Sequence, residues 1–424
     1  MLVLIVGGGA REHALAWKLA ASPGVEGVLT APGNAGTARV GENVDVAADD
    51  VEGIVGLARE RGVGLVVVGP EAPLVAGLVD ALRAVEIPCF GPTRAAAQLE
   101  GSKGFSKDFM KSHGIPTAAY RVFDDAEAAK TWVRELDRPM VIKADGLAAG
   151  KGVIVADDVQ QSLDGIDALM LERVRGDAGA RIVVEERLEG PEISFHVVCD
   201  GKRAVALAAA QDHKRLGQGD TGPNTGGMGA YSPPPMVDDA FEQTVMREVV
   251  EPTLRGMAAD GAPFTGVLFV GLMIVDGAPK VLEYNVRFGD PETEVLMARL
   301  EGDLLPLLLG AAEGDLGELE VRWGAPAALC VVLASEGYPG AYPKGRAIHG
   351  LEAANAIEGV TVFEAGTRAE SEAETGTVTS GGRVLCVTAH GADVEDAAKR
   401  AYRGVDAISF AGMQHRRDIG WQAR

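Results

Sequence analysis

A short segment, VLEYNVRFGDPE at residues 281–292, has side chains whose types and spacing suit a metal and phosphate site. Glu283 and Asn285 lie two residues apart on a predicted strand, so both side chains point to the same side. Carboxylate and amide oxygens suit Mg²⁺, and substrate phosphates then complete its octahedron. If the strand continued, Arg287 would lie on that side and bind a phosphoryl group through two hydrogen bonds. We predict a metal-assisted phosphate site; solvated charges at a strand edge are the alternative.

A glycine-rich hairpin, VIKADGLAAGKGVIVA at residues 141–156, is a second candidate for binding phosphate. Lys143 belongs to its first predicted strand, and the following loop contains Gly146, Gly150, Lys151 and Gly152. A Walker loop has four residues between its glycines and opens a helix, whereas here three intervene and a β-rich run follows. Glycine lets the backbone approach a ligand closely, and lysine supplies a charge for phosphate. We therefore predict a flexible phosphate lid; a solvated hairpin is the alternative.

The N-terminal segment GGGAREHA, residues 7–14, follows a predicted strand and opens a helix, an arrangement that binds anions. It departs from the dinucleotide fingerprint because Glu12 stands where the third glycine should be. The second strand ends in TAPGN and offers no acid for a ribose. Open parallel sheets bind ligands at the carboxyl ends of their strands. We therefore predict a phosphate or sugar-phosphate site formed by Gly8, Gly9, Asn34 and Glu71. A plain strand-to-helix turn is the alternative, and NAD binding is disfavoured.

Two further segments contribute candidates. In VVEERLEGPEISF, residues 183–195, Glu185 and Glu192 are candidates to bind the amine and hydroxyl groups of a nucleoside, with the backbone near Leu188 at a base edge. Solvated charges at strand ends are the alternative. The long loop at 211–235 exceeds what a compact domain usually contains without function. Its candidates are Asp212, Lys214, Arg215, Asn224 and Thr225, with His213 as the one histidine kept open. We predict a closing substrate loop; a disordered linker is the alternative.

The composition excludes several classes of function. The formal net charge is −21, from 40 basic and 61 acidic side chains, which argues against nucleic acid as the main partner. No apolar run approaches the roughly 20 residues of a membrane span. The start MLVLIV lacks the cationic region of a signal peptide. The cysteines are far apart within apolar runs, which predicts buried thiols in a reducing compartment. We therefore expect a cytoplasmic protein with no membrane partner.

The order of apolar patterns predicts three domains that position these residues. Residues 1–102 alternate strands at 2–6, 27–30, 64–69 and 87–90 with helical patterns, which indicates a doubly wound parallel α/β sheet. Residues 103–310 mix helices and strands as α+β, including strands near 204–210 and a helix near 238–259. Residues 325–424 form a mixed α+β domain of four strands and a helix. The acidic, glycine-rich stretch 310–320 is predicted to be a linker.

Seven motifs occur in order along the chain: GGGAREHALAW, APGNAGT, VGPEAPL, GSKGFSKDFM, IKADGLAAGKGV, QDHKRLGQGDTGPNTGGMGAYSP and RFGDPE. With them the chain resembles the glycinamide ribonucleotide synthetase family of ATP-grasp enzymes over essentially its whole length. The resemblance implies an N-terminal substrate domain, an ATP-grasp domain with a mobile lid at about 120–190, and a C-terminal domain. It also implies that ATP, glycine and 5-phosphoribosylamine give ADP, phosphate and glycinamide ribonucleotide, a step of purine biosynthesis that proceeds through glycyl phosphate.

The resemblance assigns roles to the candidate residues. The implied ATP contacts are Lys103, Lys143, the lid loop Gly146–Gly152, the adenine hinge at Glu185 and Leu188, and Glu192 for the ribose. Glu283 and Asn285 match the metal pair, for Mg²⁺ or Mn²⁺. The implied phosphoribosylamine contacts are Gly8, Gly9, Asn34 and Glu71. The positions implied for glycine and its activated form are Asp212, Asn224, Thr225 and Arg287, with Arg287 and Asp212 as catalytic residues.

Three alternatives remain beside this interpretation. Another ATP-grasp ligase would use a different carboxylate or amine. An NAD-dependent oxidoreductase is disfavoured by the missing ribose acid. A non-catalytic nucleotide-binding module would bind ATP without releasing ADP in response to glycine. We expect small-molecule partners and a monomer. The strand before the metal pair, GVLFVGLMI, carries no acid, so the number of bound metal ions stays open.

Overall fold

The computed structural model describes residues 1–147, 152–370 and 376–424. The elements of the N-terminal domain are, in chain order, β1 (Leu2–Gly7), α1 (Ala10–Ala20), β2 (Gly27–Pro32), α2 (Thr37–Val40), β3 (Glu42–Asn43), α3 (Val51–Arg61), β4 (Leu65–Val68), α4 (Glu71–Ala76), α5 (Leu78–Arg83) and β5 (Cys89–Phe90). The five strands pair in parallel in the order β3-β2-β1-β4-β5. The predicted parallel α/β domain is therefore present.

Strand β1 shows why these strands read as continuous apolar runs. Leu4 and Val6 lie in one buried cluster with residues of α3 and α5, whereas Val3 and Ile5 lie in another with residues of α1. Both faces of the sheet are thus covered, which removes the polar alternation of a half-exposed strand. The order of the strands changes direction beside β1, and the loops after β1 and β4 lie side by side there. Such an edge is where open α/β sheets bind ligands.

The central region is built from two antiparallel sheets and their helices. Its first elements are α6 (Gln98–Gly101), α7 (Lys103–Ser112), β6 (Tyr120–Phe123), α8 (Ala126–Leu136), β7 (Met140–Ala144), β8 (Val153–Val155), α9 (Val159–Ile166), β9 (Ile182–Glu186), β10 (Glu192–Asp200) and β11 (Ala204–Ala206). Asp125 and Asp158 cap α8 and α9 by accepting a hydrogen bond from a main-chain amide. Strands β6-β9-β7-β8 form the sheet of the predicted lid region.

The second central sheet has the order β11-β10-β16-β17 and carries the predicted metal pair. The later elements of this region are α10 (Asp239–Val245), α11 (Glu251–Ala259), β16 (Thr265–Val275), β17 (Ala278–Asn285), α12 (Glu292–Arg299), β18 (Leu300–Glu301) and α13 (Leu305–Glu313). Four short strands that precede α10 in the chain are described in the next paragraph. The helix predicted near 238–259 is interrupted by a π-helical turn at 246–250. The strand predicted to reach residue 210 ends at Ala206, and Ala210 forms only a bridge to Ser194.

The 211–235 loop is ordered and contains β12 (Gln211–Asp212), β13 (Arg215–Gly217), β14 (Thr221–Asn224) and β15 (Gly229–Ser232). The disordered-linker alternative is therefore wrong. The C-terminal elements are β19 (Arg322–Trp323), β20 (Ala327–Ala334), α14 (Leu351–Asn355), β21 (Val360–Glu364), β22 (Thr367–Ala369), β23 (Thr377–Thr379), β24 (Arg383–Gly391) and α15 (Val394–Ala407). One sheet, β12-β15-β20-β24-β21, contains strands from both regions. The loop thus joins the C-terminal sheet, although its sequence position suggests the central domain.

The segment 310–320 differs from the expected linker. Helix α13 continues to Glu313, and Leu316 is only 1% exposed. The amide of Leu316 donates to Asp200 Oδ2 at 3.0 Å, which ties the segment to the end of β10. The acidic, glycine-rich composition predicted a linker, but Leu316 packs the segment against the protein. All four cysteines are buried free thiols, as predicted. Within the described ranges, no helix combines the length and apolarity that crossing a membrane requires.

Candidate active site

A buried carboxylate between two lysines lies at the predicted nucleotide end of the site. The pairing of β7 with β9 places Lys143 and Glu185 near each other, and Lys143 Nζ lies 2.5 Å from Glu185 Oε1. Lys107 Nζ lies 2.5 Å from the other oxygen, Glu185 Oε2. Burial raises the pKa of Glu185, but Lys143 and Lys107 outweigh it and hold the pKa below its usual value. The three side chains together carry one net positive charge, which suits a phosphate nearby.

This geometry gives Glu185 two contacts that the sequence interpretation did not include, and its predicted adenine contact stays a prediction. The sequence interpretation gave its carboxylate to an adenine amine, yet both oxygens lie on lysine ammonium groups. The carboxylate therefore orients Lys143, whose Nζ also donates to the Leu282 carbonyl at 2.9 Å. The backbone of the adjoining segment remains the hinge candidate, with half-buried Leu188 between β9 and β10. Sequence spacing could not show the lysine contacts because they join three separate elements.

Lys107 is a site residue that the sequence interpretation missed. It is 2% exposed and donates to Thr117 Oγ1 at 2.6 Å, while Thr117 Oγ1 donates to the Val281 carbonyl of β17. Burial lowers the pKa of Lys107 to about 8, against the opposing effect of Glu185. One signal was available: Lys107 follows Lys103 by four residues, so the two lysines share a face of α7. That face lines the same cleft as Lys143 and Glu283.

The predicted metal pair, Glu283 and Asn285, lies at the end of β17, and several cations lie near Glu283. Glu283 pairs in register with Gly271 of β16, where a side-chain Cβ would lie 3.4 Å from the Glu283 carbonyl oxygen and 3.5 Å from its Cγ. Burial raises the pKa of Glu283, but Lys103, then Lys214 and other cations, lower it to about 2. The carboxylate is therefore charged at neutral pH. An anionic oxygen and the neighbouring Asn285 amide oxygen, encircled by lysines, fit a divalent cation that carries phosphates.

Arg287 connects this pair to the N-terminal domain. It follows the end of β17, and its Nη2 donates to Asn285 Oδ1 at 3.2 Å. Its Nε lies 3.2 Å from Glu71 Oε2, and its Nη2 lies 3.1 Å from Glu100 Oε1. Burial raises the pKa of Glu100, whereas Arg287 counters the effect of burial on Glu71 and its pKa is lowered. Glu100 was missed because nothing local in its sequence indicates this contact.

The glycine loop after β1 is closed by Glu12. Gly9 N donates to Glu12 Oε2 at 2.5 Å, and Arg11 Nε donates to Glu12 Oε1 at 2.6 Å. A side chain at Gly8 would lie 2.6 Å from the Gly33 carbonyl oxygen, so this position requires glycine. A dinucleotide site needs glycine at position 12 and free amides for pyrophosphate. The Glu12 carboxylate lies on one of those amides, so the geometry opposes NAD binding and leaves Gly9 N already bonded.

Asn34 supports this loop and has little capacity left for a ligand. Its Nδ2 donates to the Gly8 carbonyl at 3.0 Å and to the Glu364 carbonyl of the C-terminal domain at 2.6 Å. Its Oδ1 accepts from the amides of Gly36 and Thr37 at 2.8 and 3.0 Å. The Asn34 side chain thus holds the loop, and its predicted contact with phosphoribosylamine stays a prediction. The sequence could not show this because Glu364 lies 330 residues away.

The ordered 211–235 loop brings Asp212 and Lys214 to the cleft. Burial raises the pKa of Asp212, and nearby Glu292 raises it further. Asp212 Oδ1 is buried and makes no hydrogen bond within the described part of the chain. Lys214 Nζ lies 2.6 Å from Glu192 Oε2, at the position predicted to bind a ribose. Thr225 Oγ1 donates to the Lys214 carbonyl at 2.9 Å and thus holds the loop.

The remaining candidates lie at the edges of the site. Asn224 is half-buried on β14 and pairs with Arg215. His213 is buried, its Nε2 lies 3.0 Å from Gln422 Oε1, and burial lowers its pKa to about 4, which indicates a structural role. In the lid loop, Gly152 O accepts from Ala144 N at 2.8 Å and Gly146 N donates to Ala178 O at 3.4 Å. Two predicted lid residues, Gly150 and Lys151, lie outside the described residues.

Comparisons with known proteins agree with this arrangement. Three family descriptions match: the N domain of phosphoribosylglycinamide synthetase at residues 1–100, its ATP-grasp (A) domain at 101–293 and its C domain at 328–422. The chain is 53% identical to the phosphoribosylamine–glycine ligase of Vibrio parahaemolyticus, over 100% of this chain and 98% of the relative. It is 54% identical to the ligase of the same name from Brucella melitensis, over 100% and 98%.

The fold also matches those of solved structures. A crystal structure of the phosphoribosylamine–glycine ligase of Thermotoga maritima superposes with a TM-score of 0.85 at 35% identity, covering 99% of this chain and 100% of that one. A biotin carboxylase domain of Hydrogenobacter thermophilus shares the fold, with a TM-score of 0.71 at 17% identity, covering 98% and 91%. The predicted order of an N-terminal, an ATP-grasp and a C-terminal domain is confirmed. The chain belongs to the phosphoribosylglycinamide synthetase family.

Proposed function

We propose that this chain is an ATP-dependent carbon–nitrogen ligase that joins glycine to 5-phosphoribosylamine and releases ADP, phosphate and glycinamide ribonucleotide. One observation carries the proposal. Arg287 contacts Asn285 of the cation-rich cleft and Glu71 beside the N-terminal glycine loop. A nucleotide site and a sugar-phosphate site are thereby joined at one side chain. The relatives named phosphoribosylamine–glycine ligase support the same reaction.

Glu283 and Asn285 would hold a divalent cation, for which we propose Mg²⁺ or Mn²⁺. Such an ion supplies charge neutralisation for the phosphates of ATP. Lys103 and Lys143 provide fixed positive charge in the same cleft, and Glu185 with Lys107 fixes the direction of Lys143. The Gly146–Gly152 lid stays a prediction, since four of its residues are outside the described ranges.

The chemistry follows from the poor reactivity of a carboxylate. Oxide is a poor leaving group, so a glycine carboxylate oxygen first attacks the γ-phosphorus of ATP, ADP departs, and glycyl phosphate forms. The amine of phosphoribosylamine then attacks the carbonyl carbon, loses a proton and expels phosphate. We assign the binding of the transferring phosphoryl group to Arg287, which its contact with Asn285 supports. We assign the glycine ammonium group to Asp212, whose Oδ1 has no hydrogen-bond partner among the described residues. The protein acts by alignment and charge neutralisation.

The site also bears on compartment and assembly. We propose that the chain acts as a monomer on small-molecule substrates. The four buried thiols support a reducing, cytoplasmic compartment. Glu12 on the Gly9 amide argues against the oxidoreductase alternative.

The function is tested by ADP release. With ATP, Mg²⁺, glycine and freshly made phosphoribosylamine, we expect steady release of ADP, measured by a coupled enzyme assay. Omission of either co-substrate should reduce release to background. Replacement of glycine by alanine or by other small carboxylates is the matched control against another ATP-grasp ligase. Nucleotide binding without glycine-dependent ADP release would instead favour a non-catalytic module.

A further inference from the structure

The C-terminal domain contacts the N-terminal domain beside the glycine loop through the main chain of Glu364, at the end of β21. Its amide donates to His13 Nδ1 at 2.8 Å. Its carbonyl accepts from Asn34 Nδ2 at 2.6 Å, the same group that donates to the carbonyls of Gly8 and Gly9 at 3.0 and 3.3 Å. The loop after β1 is therefore linked through Asn34 to a peptide unit of another domain.

The packing around this contact leaves little freedom. His13 is 8% and Glu364 is 4% exposed. A side chain at Gly36 would lie 2.3 Å from His13 Cε1, so the ring is packed tightly against this glycine. Phe363 packs edge-on against His13, with the ring centroids 5.6 Å apart. The imidazole must keep Nδ1 unprotonated to accept the Glu364 amide, and burial lowers its pKa to about 4, which favours the neutral ring.

We propose that the C-terminal domain holds the N-terminal glycine loop in its ligand-binding shape through Glu364, with His13 as the positioning residue. His13 fixes the Glu364 amide, the Glu364 carbonyl fixes the Asn34 amide group, and Asn34 fixes the carbonyls of Gly8 and Gly9. His13 does not itself contact substrate. The identity of the ligand, a phosphoribosyl compound, rests on the proposed function. The claim that Glu364 and His13 keep the loop ordered does not depend on the proposed function.

The test compares His13→Leu with His13→Asn. Asparagine places an oxygen where histidine places Nδ1 and keeps the acceptor, whereas leucine removes it. Isothermal titration of glycinamide ribonucleotide into the full chain should give a Kd about tenfold weaker for His13→Leu and within about twofold of wild type for His13→Asn. The Kd of ADP with Mg²⁺ should be unchanged in both. Arg39→Met removes a side-chain contact to the Glu364 carboxylate, and as an interface control it should leave both Kd values unchanged.

Hydrogen exchange supplies a readout that needs no ligand. Peptides covering residues 5–14 should exchange faster in His13→Leu than in wild type, and at the wild-type rate in His13→Asn. If His13→Leu does not fold, His13→Gln takes its place as the variant without an acceptor at the Nδ1 position, because the longer glutamine side chain carries its amide oxygen beyond that position. Equal exchange and equal affinity in wild type and the acceptor-less variant would overturn the inference. A wild-type chain that binds ADP but no glycinamide ribonucleotide would instead contradict the proposed function, and the exchange result would still decide the inference.

Discussion

Replacement of Glu283 by Gln is expected to lower kcat on the order of 10³-fold or more, while the protein stays folded. The carboxylate is charged at neutral pH because Lys103, Lys214 and other cations hold its pKa at about 2 against the effect of burial. Glutamine keeps the size and an oxygen but removes the charge that faces the cation and the transferring phosphoryl group. The lower kcat should be measured as a slower rate of ADP release at saturating Mg²⁺, ATP and glycine.

The matched control is Glu318→Gln, which makes the same change at an exposed residue that does not belong to the candidate site. This variant should retain wild-type turnover. Circular dichroism and thermal melting of both variants check that each is folded. Near-normal turnover of Glu283→Gln at saturating Mg²⁺ would contradict the assignment of this residue to the metal.

Replacement of Arg287 by Met is expected to affect both stability and activity. The change leaves Glu71 and Glu100 without their shared partner, and breaking a buried ion pair costs about 3–5 kcal/mol of unfolding free energy. It also removes the group proposed to bind the phosphoryl group, so turnover should be lost. Urea unfolding at pH 7.5 measures the first effect and ADP release the second. Arg255→Met, at an exposed arginine paired with Glu251, should cost below about 1 kcal/mol.

A second substitution separates the two effects of Arg287. Glu100 is buried, and burial already raises its pKa against the opposing effect of Arg287. We therefore expect the unpaired Glu100 carboxylate to account for most of the stability lost when the guanidinium is absent. The double variant Arg287→Met with Glu100→Gln should therefore recover part of the lost stability. It should recover no turnover, because the phosphoryl contact remains absent. If turnover returned together with stability, Arg287 would be a structural residue only.

The depressed pKa values set the expected effect of acid. Glu283 and Glu71 both have a folded-state pKa below the unfolded value, so they bind fewer protons when folded. Their contribution to stability is complete above the unfolded pKa and declines as the pH falls. For Glu283 this decline extends down to a pH of about 2.

The parts of the site that depend on local spacing could be predicted from sequence. Glu283 and Asn285 share a side because strands alternate with a period of two residues. The loops after β1 and β4 meet because the carboxyl ends of parallel strands lie at one edge of a sheet. Arg287 contacts Asn285 although the strand ends before it, and its role beside a metal stays a prediction.

The parts that depend on contacts between distant elements could not be predicted. Lys107 and Lys143 meet on Glu185 because α7, β7 and β9 pack together, and no spacing along the chain encodes that packing. Asn34 looks like a free polar side chain in APGNAGT, yet Glu364 occupies its donor. Two strands of the 211–235 loop, β12 and β15, join a sheet whose other strands lie about a hundred or more residues further on.

The central claim is that a glycine carboxylate oxygen attacks the γ-phosphate in the cleft formed by Glu283, Asn285 and Arg287. Glycine labelled with ¹⁸O in both carboxylate oxygens, turned over with ATP and phosphoribosylamine, tests it by mass spectrometry of the released phosphate. Unlabelled glycine is the control. One labelled oxygen should pass into each phosphate formed, and the product amide should keep the other. Unlabelled phosphate, released during turnover that consumes labelled glycine, would contradict the glycyl phosphate mechanism.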